Sequence, residues 1–210
     1  MRLLIANDDG IYSPGIHALA TAARRFGDVL VVAPDVEQSS MGHAITHARP
    51  LSYRHTALDG FEAYRVNGTP ADCVALGLEL REGIDVVLSG INLGYNLGNS
   101  AWHSGTIAAA RQATLLGARG IAFSTPTRGS VPDFERLAPW VEQVLALLLP
   151  MEDARLVNVN LPAEPTGLRW VRQSVRHYDG VVTPTKDPYG RELHWLSVRP
   201  LEEVEEDTDR

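Results

Sequence analysis

Two adjacent carboxylates, Asp8 and Asp9, stand directly after the first apolar run of the chain, Leu3–Ala6. Such a pair after a strand is often only a turn or a helix cap, because side-by-side carboxylates repel each other. If both side chains turn inward, a divalent cation would cancel their charges, and an all-oxygen ligand set favours Mg²⁺, Mn²⁺ or Ca²⁺ over zinc. On its own, the pair is compatible with a plain turn or with a cation site.

A loop rich in glycine and asparagine, which begins at Ser89-Gly90-Ile91-Asn92, follows the buried run Val86–Leu88. Its flexible backbone and neutral amides offer many hydrogen-bond donors and acceptors. The alternative interpretation is an ordinary surface loop with asparagines in left-handed turns. The loop by itself does not decide between these two interpretations.

The stretch His103-Ser104-Gly105-Thr106 precedes a helix of small residues. A helix N-terminus presents free amide hydrogens and the positive end of the helix dipole, which together suit a phosphate group. Gly105 would allow close approach of the backbone, and the hydroxyls of Ser104 and Thr106 would add donors. Either hydroxyl could instead serve only to cap the helix. A cation site and a phosphate seat in one molecule would together indicate phosphoryl chemistry.

Alternating strand-like and helix-like segments must position these clusters. The expected strands are Leu3–Ala6, Val29–Ala33, Phe61–Val66, Asp85–Ser89, Gly120–Ser124 and Leu156–Asn160. The expected helices run from Ser13-Pro14 to about Phe26, and over Pro70–Leu80, Thr106–Leu116 and Asp133–Leu149. This alternation predicts an α/β fold, a Rossmann-like, doubly wound and mostly parallel sheet with helices on both faces. Ligands bind beyond the carboxyl ends of such strands, where the polar clusters fall.

The segments outside this alternation are a long loop and a C-terminal extension. Residues 35–60 read as the loop, with a short strand near Ala44–Thr46, and a loop of that length in a compact domain usually has a function. Further strands are expected at Arg169–Val175, Val181–Thr183 and Leu193–Val198. We therefore expect a core over residues 1–166 that carries the site, and a β-rich extension over residues 167–210 that contributes to oligomerisation.

Composition excludes several classes of protein. With 210 residues, 44% hydrophobic and 21% charged, the chain can bury a sizeable core. Its formal net charge of −7 argues against binding of polymeric nucleic acid, which needs a basic face. The single lysine, Lys186, is not part of a Gly-Lys-Ser/Thr motif, so a P-loop is excluded. We expect a cytoplasmic protein without a membrane span, since no apolar stretch is long enough, no secretory signal is evident and Cys73 is the only cysteine.

Taken together, the motifs resemble those of the survival protein E (SurE) family of metal-dependent nucleotidases. The resemblance spans essentially the whole chain, and its motifs occur in the family's order. The matching segments are Asn7–Gly10, Ala33-Pro34 with the later Ser39, Gly68–Val74, Ser89–Asn92, Ser104–Thr106, Asn158–Pro162 and Asp207–Asp209.

The resemblance implies release of phosphate from nucleoside 5′- and 3′-monophosphates, and for some members shortening of polyphosphate. It implies one divalent ion per subunit, Mg²⁺ or Mn²⁺, with the ligands Asp8, Asp9, Ser39 and Asn92. It implies phosphate contacts from Asn96, Ser104, Gly105 and Thr106. It also implies a homodimer or homotetramer that exchanges C-terminal segments.

Asp8 and Asp9 are the catalytic candidates in this scheme, and His43 and His103 are candidate proton donors to the leaving alcohol. Haloacid-dehalogenase-type phosphatases need two aspartates separated by one residue, and response-regulator receivers need a third aspartate and a late lysine. Neither pattern occurs here. A nucleotide-sensing module that binds without hydrolysis would use most of the same ligands, and it remains the alternative function.

Overall fold

The computed structural model, which describes residues 1–127, 129–175, 179–199 and 205–209, is built on a seven-stranded sheet. Its strands are β1 (Arg2–Ala6), β2 (Asp28–Pro34), β3 (Tyr53–His55), β4 (Glu62–Val66), β5 (Val86–Leu93), β6 (Arg119–Thr125) and β7 (Leu156–Asn160). Their order is β3-β4-β2-β1-β5-β6-β7, and every pairing is parallel except that of β3 with β4. The predicted fold class is confirmed.

Two pairs of helices cover the two faces of this sheet. Helices α1 (Pro14–Ala23) and α4 (Phe134–Leu148) share a core cluster with Leu3 and Ile5 of β1. Helices α2 (Pro70–Leu80) and α3 (Gly105–Leu115) share the other cluster with Leu4. Because burial occurs on both faces, the central strands are almost continuously apolar. Within the described residues, no helix has the length and hydropathy needed to cross a bilayer.

Polar caps start the helices that flank the predicted site. Ser13 caps α1 with Pro14 in its first turn, as the sequence predicts. Thr69 and Asp72 form a capping box at α2, and Ser104 caps α3 by accepting a hydrogen bond from the Ile107 amide. These caps place the positive ends of α2 and α3 at the carboxyl edge of the sheet.

Two predicted strands are wrong. At Ala44–Thr46 the polar groups bind the start of α2 rather than a strand: Thr69 Oγ1 donates to the Ala44 carbonyl at 2.7 Å, and the Thr46 amide donates to Asp72 Oδ1 at 2.9 Å. The edge strand forms later, as β3. The segment Arg169–Val175 makes only one isolated bridge, from Arg172 to Thr208, and therefore no strand.

The described chain divides into two compact units. The larger comprises Met1–Asn96 with Trp102–Leu168, and the smaller comprises Leu97–Ala101 with Arg169–Arg210. Within the smaller unit, β8 (Asp179–Lys186) and β9 (Glu192–Arg199) form an antiparallel hairpin that covers both strands predicted there. The Asp209 carboxylate accepts hydrogen bonds from the amides of Gly98 and Ser174, at 2.8 and 2.9 Å. These bonds tie the short segment 97–101 to the C-terminal part of the chain.

Candidate active site

The carboxyl ends of β1 and β5 meet where the strand order reverses, since β1 leads to β2 on one side and pairs with β5 on the other. Doubly wound sheets bind their ligands in the crevice at such a reversal. The loops after β1, β2 and β5 and the start of α3 all lie here.

Asn7 builds the turn that carries the two aspartates. Its Nδ2 donates to the Gly10 carbonyl at 2.9 Å and to Ser13 Oγ at 2.8 Å. Gly10 has φ +95°, a conformation that favours glycine. The Asn7 side chain therefore closes the turn between β1 and α1 and holds Asp8 and Asp9 at its tip.

Asp8 is buried against the start of α3. Thr106 Oγ1 donates to Asp8 Oδ1 at 2.6 Å. Hydrogen bonds from the backbone amides of Gly105 and Thr106 also favour the charged form of this carboxylate. The Asp8 carbonyl accepts a hydrogen bond from the Gln38 amide at 2.7 Å, which brings the loop after β2 to the same place. The helix start predicted as a phosphate seat thus also holds a carboxylate of the candidate cation site.

Asp9 contacts the loop after β5 instead. Its Oδ2 accepts a hydrogen bond from the Leu93 amide at 3.3 Å. The register of β5 against β6 shifts between Ser89 and Asn92, and Gly90 in this bulge has φ +130°. A Cβ at Gly90 would lie 2.3 Å from the Phe123 carbonyl oxygen, so only glycine fits. The bulge therefore sets the position of the Asn92–Leu93 backbone relative to Asp9.

Ser39 and Asn92, the other two predicted ligands, lie in the loops that contact the aspartates. Ser39 is exposed, and its hydroxyl donates to Glu37 Oε1 at 2.6 Å. The Nδ2 of Asn92 donates to the Gly94 carbonyl at 2.8 Å, and this bond leaves Oδ1 as the atom suited to a cation. The structure brings both residues to this edge of the sheet, and their role as ligands stays a prediction.

The predicted phosphate contacts separate into two groups. Ser104, Gly105 and Thr106 lie at the start of α3 beside Asp8. Asn96 is instead held by the neighbouring strands: its Nδ2 donates to Ser124 Oγ at 2.8 Å, and its amide donates to Asn160 Oδ1 at 2.9 Å. The Asn96 position is therefore set by β6 and β7.

The two candidate proton donors also differ in their surroundings. His43 Nε2 lies 2.7 Å from Gln112 Oε1, and Gln112 is seven residues beyond Gly105, about 10 Å along the helix axis. His103 is exposed and directly precedes the cap residue Ser104. The backbone joins the two segments, since the Gly42 amide donates to the His103 carbonyl at 3.0 Å. Of the two histidines, His103 is the one adjacent to the start of α3.

Burial and mutual repulsion shift the titration of both aspartates. Burial raises the pKa of Asp8 above its usual range, although bonds from Thr106 and Gly105 act to lower it. Burial, then the charge of Asp8, raises the pKa of Asp9 to about 6. Among the described residues, no Lys, Arg or His forms an ion pair within 4.0 Å with either carboxylate. Two carboxylates of this kind fit a divalent cation between them.

The candidate metal ligands at this site, Asp8, Asp9, Ser39 and Asn92, all offer oxygen atoms. The described part of the chain contains no group of three or more His, Cys, Asp or Glu side chains that could hold a metal ion. A cation here would therefore rely on two carboxylates and neutral oxygens, as Mg²⁺ and Mn²⁺ sites can. Within the described residues, three buried oxygens at this edge have no hydrogen-bond partner: Asn7 Oδ1, Ser89 Oγ and Thr125 Oγ1. Unpaired buried oxygens are typical of a place that receives a ligand or water.

Sequence analysis did not identify the network that holds Asn96. The Nδ2 groups of Asn158 and Asn160 both donate to the Asn96 carbonyl, at 2.8 and 3.0 Å. A usable signal is present in β7, where alternate residues are asparagine and valine. Two amides two residues apart on one face of a strand indicate a polar surface under the covering helix. Glu37, which binds the Ser39 hydroxyl, was also not identified.

Gly105→Ala is expected to lower the free energy of unfolding by about 1–3 kcal/mol, because it overpacks a buried contact. The added Cβ would lie 2.7 Å from Asp8 Cβ and 2.9 Å from Asp8 Oδ2. Asp8 Cβ is bonded directly to the backbone, so it cannot move aside unless the backbone moves. Urea denaturation in EDTA measures the change. Gly167→Ala is the matched control, since no atom lies within 4 Å of its new Cβ. Equal stability of the two variants would contradict this packing.

Comparison with known proteins matches this chain to a family. The family model described as "Survival protein SurE" matches residues 3–180. The chain belongs to the SurE family. This confirms the resemblance read from the motifs. SurE relatives include "5'-nucleotidase SurE 1" of Thermus thermophilus, 48% identical over 100% of this chain and 86% of that protein. The "5'-nucleotidase SurE" of Deinococcus radiodurans is 45% identical over 93% of this chain and 76% of its own length.

The SurE fold is also shared at the level of coordinates. The crystal structure of the SurE protein from Aquifex aeolicus superposes with a TM-score of 0.83 and 38% sequence identity. The match covers 100% of this chain and 87% of that one. The strand-end loops described above therefore belong to a SurE fold throughout.

Proposed function

We propose that this SurE protein is a metal-dependent 5′-nucleotidase that hydrolyses nucleoside monophosphates to nucleoside and phosphate. The observation that carries the proposal is the contact of Asp8 with the start of α3, which joins a two-carboxylate cluster to a helix N-terminus. The names of the Thermus and Deinococcus relatives support the substrate class. Nucleoside 3′-monophosphates and short polyphosphate are included in the proposed substrates.

A single Mg²⁺ or Mn²⁺ ion would be held by Asp8, Asp9, Ser39 and Asn92. Such an ion supplies charge neutralisation and activation of water for attack on phosphorus. A serine hydroxyl binds a cation through an oxygen lone pair, so Ser39 could hold the ion while its hydrogen is still donated to Glu37. The side chain of Ser39 is exposed.

The residues of the chain itself would bind and orient the phosphate. Ser104 Oγ accepts the Ile107 amide at 3.1 Å, so its hydroxyl hydrogen can donate to a phosphate oxygen. Gly105 has no side chain that would block a phosphate at the start of α3. Asn96 is held in position by its bonds to Ser124 of β6 and Asn160 of β7. The Thr106 hydroxyl donates to Asp8, so we assign Thr106 to orienting that carboxylate. His103 would protonate the leaving alcohol.

The test is phosphate release from AMP, with and without EDTA, in a panel of nucleoside monophosphates and Mg²⁺, Mn²⁺ or Co²⁺. We expect metal-dependent release that EDTA abolishes and added Mn²⁺ restores. AMP binding measured by calorimetry, without phosphate release under any metal, would instead support a nucleotide-sensing module. The two outcomes separate hydrolysis from binding directly.

The metal-free protein is expected to lose stability as the pH rises from about 5 to about 7. The pKa of Asp9 is about 6 in the folded protein against an ordinary value of 3.8, so the folded state binds more protons in this range. This contribution is complete below the unfolded pKa and is lost as the pH rises through the folded pKa. After allowance for solvent screening the loss is about 1 kcal/mol, or about 3 °C in Tm.

Thermal unfolding in EDTA at several pH values measures this loss for the wild type and for Asp9→Asn. The variant should show a smaller decrease in Tm between the same pH values, since its amide does not titrate. If both proteins respond identically to pH, the raised pKa of Asp9 is contradicted.

The C-terminal hairpin is proposed to pair with a second copy of the chain, giving a homodimer or homotetramer that exchanges C-terminal segments. Val182, Trp195 and Leu196 of this hairpin are 60%, 69% and 73% exposed. An isolated two-stranded hairpin with exposed apolar side chains is marginally stable in water, and a partner would cover it. Light scattering coupled to size-exclusion chromatography measures the oligomer directly.

A further inference from the structure

Two arginines, Arg54 and Arg65, face each other across the antiparallel pair β3–β4. On either side of them, the Thr56 amide donates to the Ala63 carbonyl at 2.9 Å, and the Asn67 amide donates to the Ser52 carbonyl at 3.1 Å. Hydrogen-bonded pairs alternate along such a ladder, so Arg54 and Arg65 form one, with Cα atoms about 5.5 Å apart. Their side chains therefore leave the same face of the sheet, next to each other.

Neither guanidinium group is compensated within the described part of the chain. No described carboxylate forms an ion pair within 4.0 Å with Arg54 or Arg65, and neither side chain makes a hydrogen bond to a described residue. The other described arginines of the larger unit each contact a carbonyl, a carboxylate or an aromatic ring. They are Arg2, Arg24, Arg25, Arg49, Arg81, Arg111, Arg119, Arg136 and Arg155. Among the described arginines of this unit, only Arg54 and Arg65 have no such contact.

The pair lies toward the edge of the sheet that carries the candidate site. Arg65 aligns with Ala33, the penultimate residue of β2, and β2 lies between β4 and β1. The two strand spacings between β4 and β1 amount to about 10 Å. Arg54 is exposed and Arg65 is half-buried, so a ligand can reach both. The backbone of the pair therefore lies two strands away from the strand that leads into the aspartate turn, and no hydrogen bond joins either described guanidinium group to that turn.

We propose that Arg54 and Arg65 form a second anion site, which takes a doubly charged oxyanion of the phosphate class. Like charges directly opposite each other on a sheet are destabilising unless a counter-ion bridges them. Guanidinium groups bind phosphate oxygens through paired, charge-assisted hydrogen bonds, and two of them side by side match a dianion. This site is distinct from the aspartate turn, and its existence does not depend on the proposed nucleotidase activity.

The test is phosphate binding to the full chain in EDTA at constant ionic strength, measured by calorimetry and by the rise in Tm. Arg54→Gln and Arg65→Gln should each weaken binding of phosphate by about tenfold, the loss of one charged hydrogen-bonding partner. Arg155→Gln is the matched control. It removes the same charge next to the amino end of β7, where Arg155 Nη2 contacts the Gly117 carbonyl, and should bind phosphate like the wild type.

Two further comparisons define the ligand and the independence of the site. A larger loss for tripolyphosphate than for orthophosphate would identify the end of a phosphate chain as the ligand, and an equal loss would identify a single phosphate group. AMP turnover with Mn²⁺ should remain within about twofold of wild type in both variants. The proposal is overturned if Arg54→Gln, Arg65→Gln and the charge-conserving Arg65→Lys all bind phosphate as tightly as the wild type.

Discussion

Asp8→Asn is expected to reduce kcat/KM for AMP hydrolysis by about a thousandfold. The asparagine has nearly the same shape and can still accept the hydrogen bond that Thr106 donates at 2.6 Å. It removes one of the two negative charges that would hold the cation. Loss of one partner from a buried charge pair costs about 3–5 kcal/mol, and each 1.36 kcal/mol is tenfold in rate. The measurement is phosphate release with saturating Mn²⁺.

Glu79→Gln is the matched control for this prediction, because it removes the same charge from an exposed position on α2. Its rate should equal that of the wild type. A near-native rate for Asp8→Asn with Mg²⁺ or Mn²⁺ would remove Asp8 from the mechanism. Thermal unfolding of both variants establishes that they are folded before the rates are compared.

Thr106→Val is expected to lower kcat/KM by about 10- to 100-fold, the usual cost of removing a group that orients a metal ligand. Thr106 is fully buried, and its hydroxyl donates to Asp8 Oδ1. Valine keeps the shape of the side chain but cannot donate, so the carboxylate loses its orientation. The dissociation constant for Mn²⁺, measured by calorimetry without substrate, should rise by a similar factor.

Thr106→Ser should restore most of the affinity for Mn²⁺, since serine keeps the donor. Thr114→Val on the same helix is the control, because within the described chain the Thr114 hydroxyl donates to the Arg111 carbonyl alone. If Thr106→Val binds Mn²⁺ normally but has a raised KM for AMP, Thr106 contacts phosphate rather than Asp8. That result would restore the role that the family resemblance assigns to this residue.

The strands and helices of the core were predictable because their signals are local. Apolar runs such as Leu3–Ala6 are buried on both faces of a parallel sheet, and Ser13-Pro14 starts α1 as the capping rules require. The segment Ala44–Thr46 was misassigned because its polar groups bind Thr69 and Asp72, more than twenty residues away. No local sequence pattern indicates a hydrogen-bond partner that is so far away along the chain.

The candidate site shows the same division between local and distant signals. Asp8, Asp9 and the Ser104–Thr106 cap could be identified from residue type and from their place after a strand or before a helix. The hydrogen bond from Thr106 to Asp8 could not be identified, since the two residues are 98 positions apart. In the sequence, the Thr106 hydroxyl could equally well donate a hydrogen bond to a phosphate. The asparagines of β7 were part of a segment that resembles the family, but their bonds to Asn96 could not be predicted because Asn96 lies in a different loop.

The sequence by itself determined the family, the class of fold and the set of oxygen-bearing residues at the strand ends. These depend on residue type, on periodicity and on the order of motifs along one chain. Only the tertiary structure decided which side chains meet. The hydroxyl of Thr106 and the first amides of α3 donate hydrogen bonds to Asp8, His43 pairs with Gln112, and Arg54 lies opposite Arg65. Such pairings arise because the folded sheet brings separate segments of the chain together. The number of residues between two side chains does not indicate how close they lie in the folded protein.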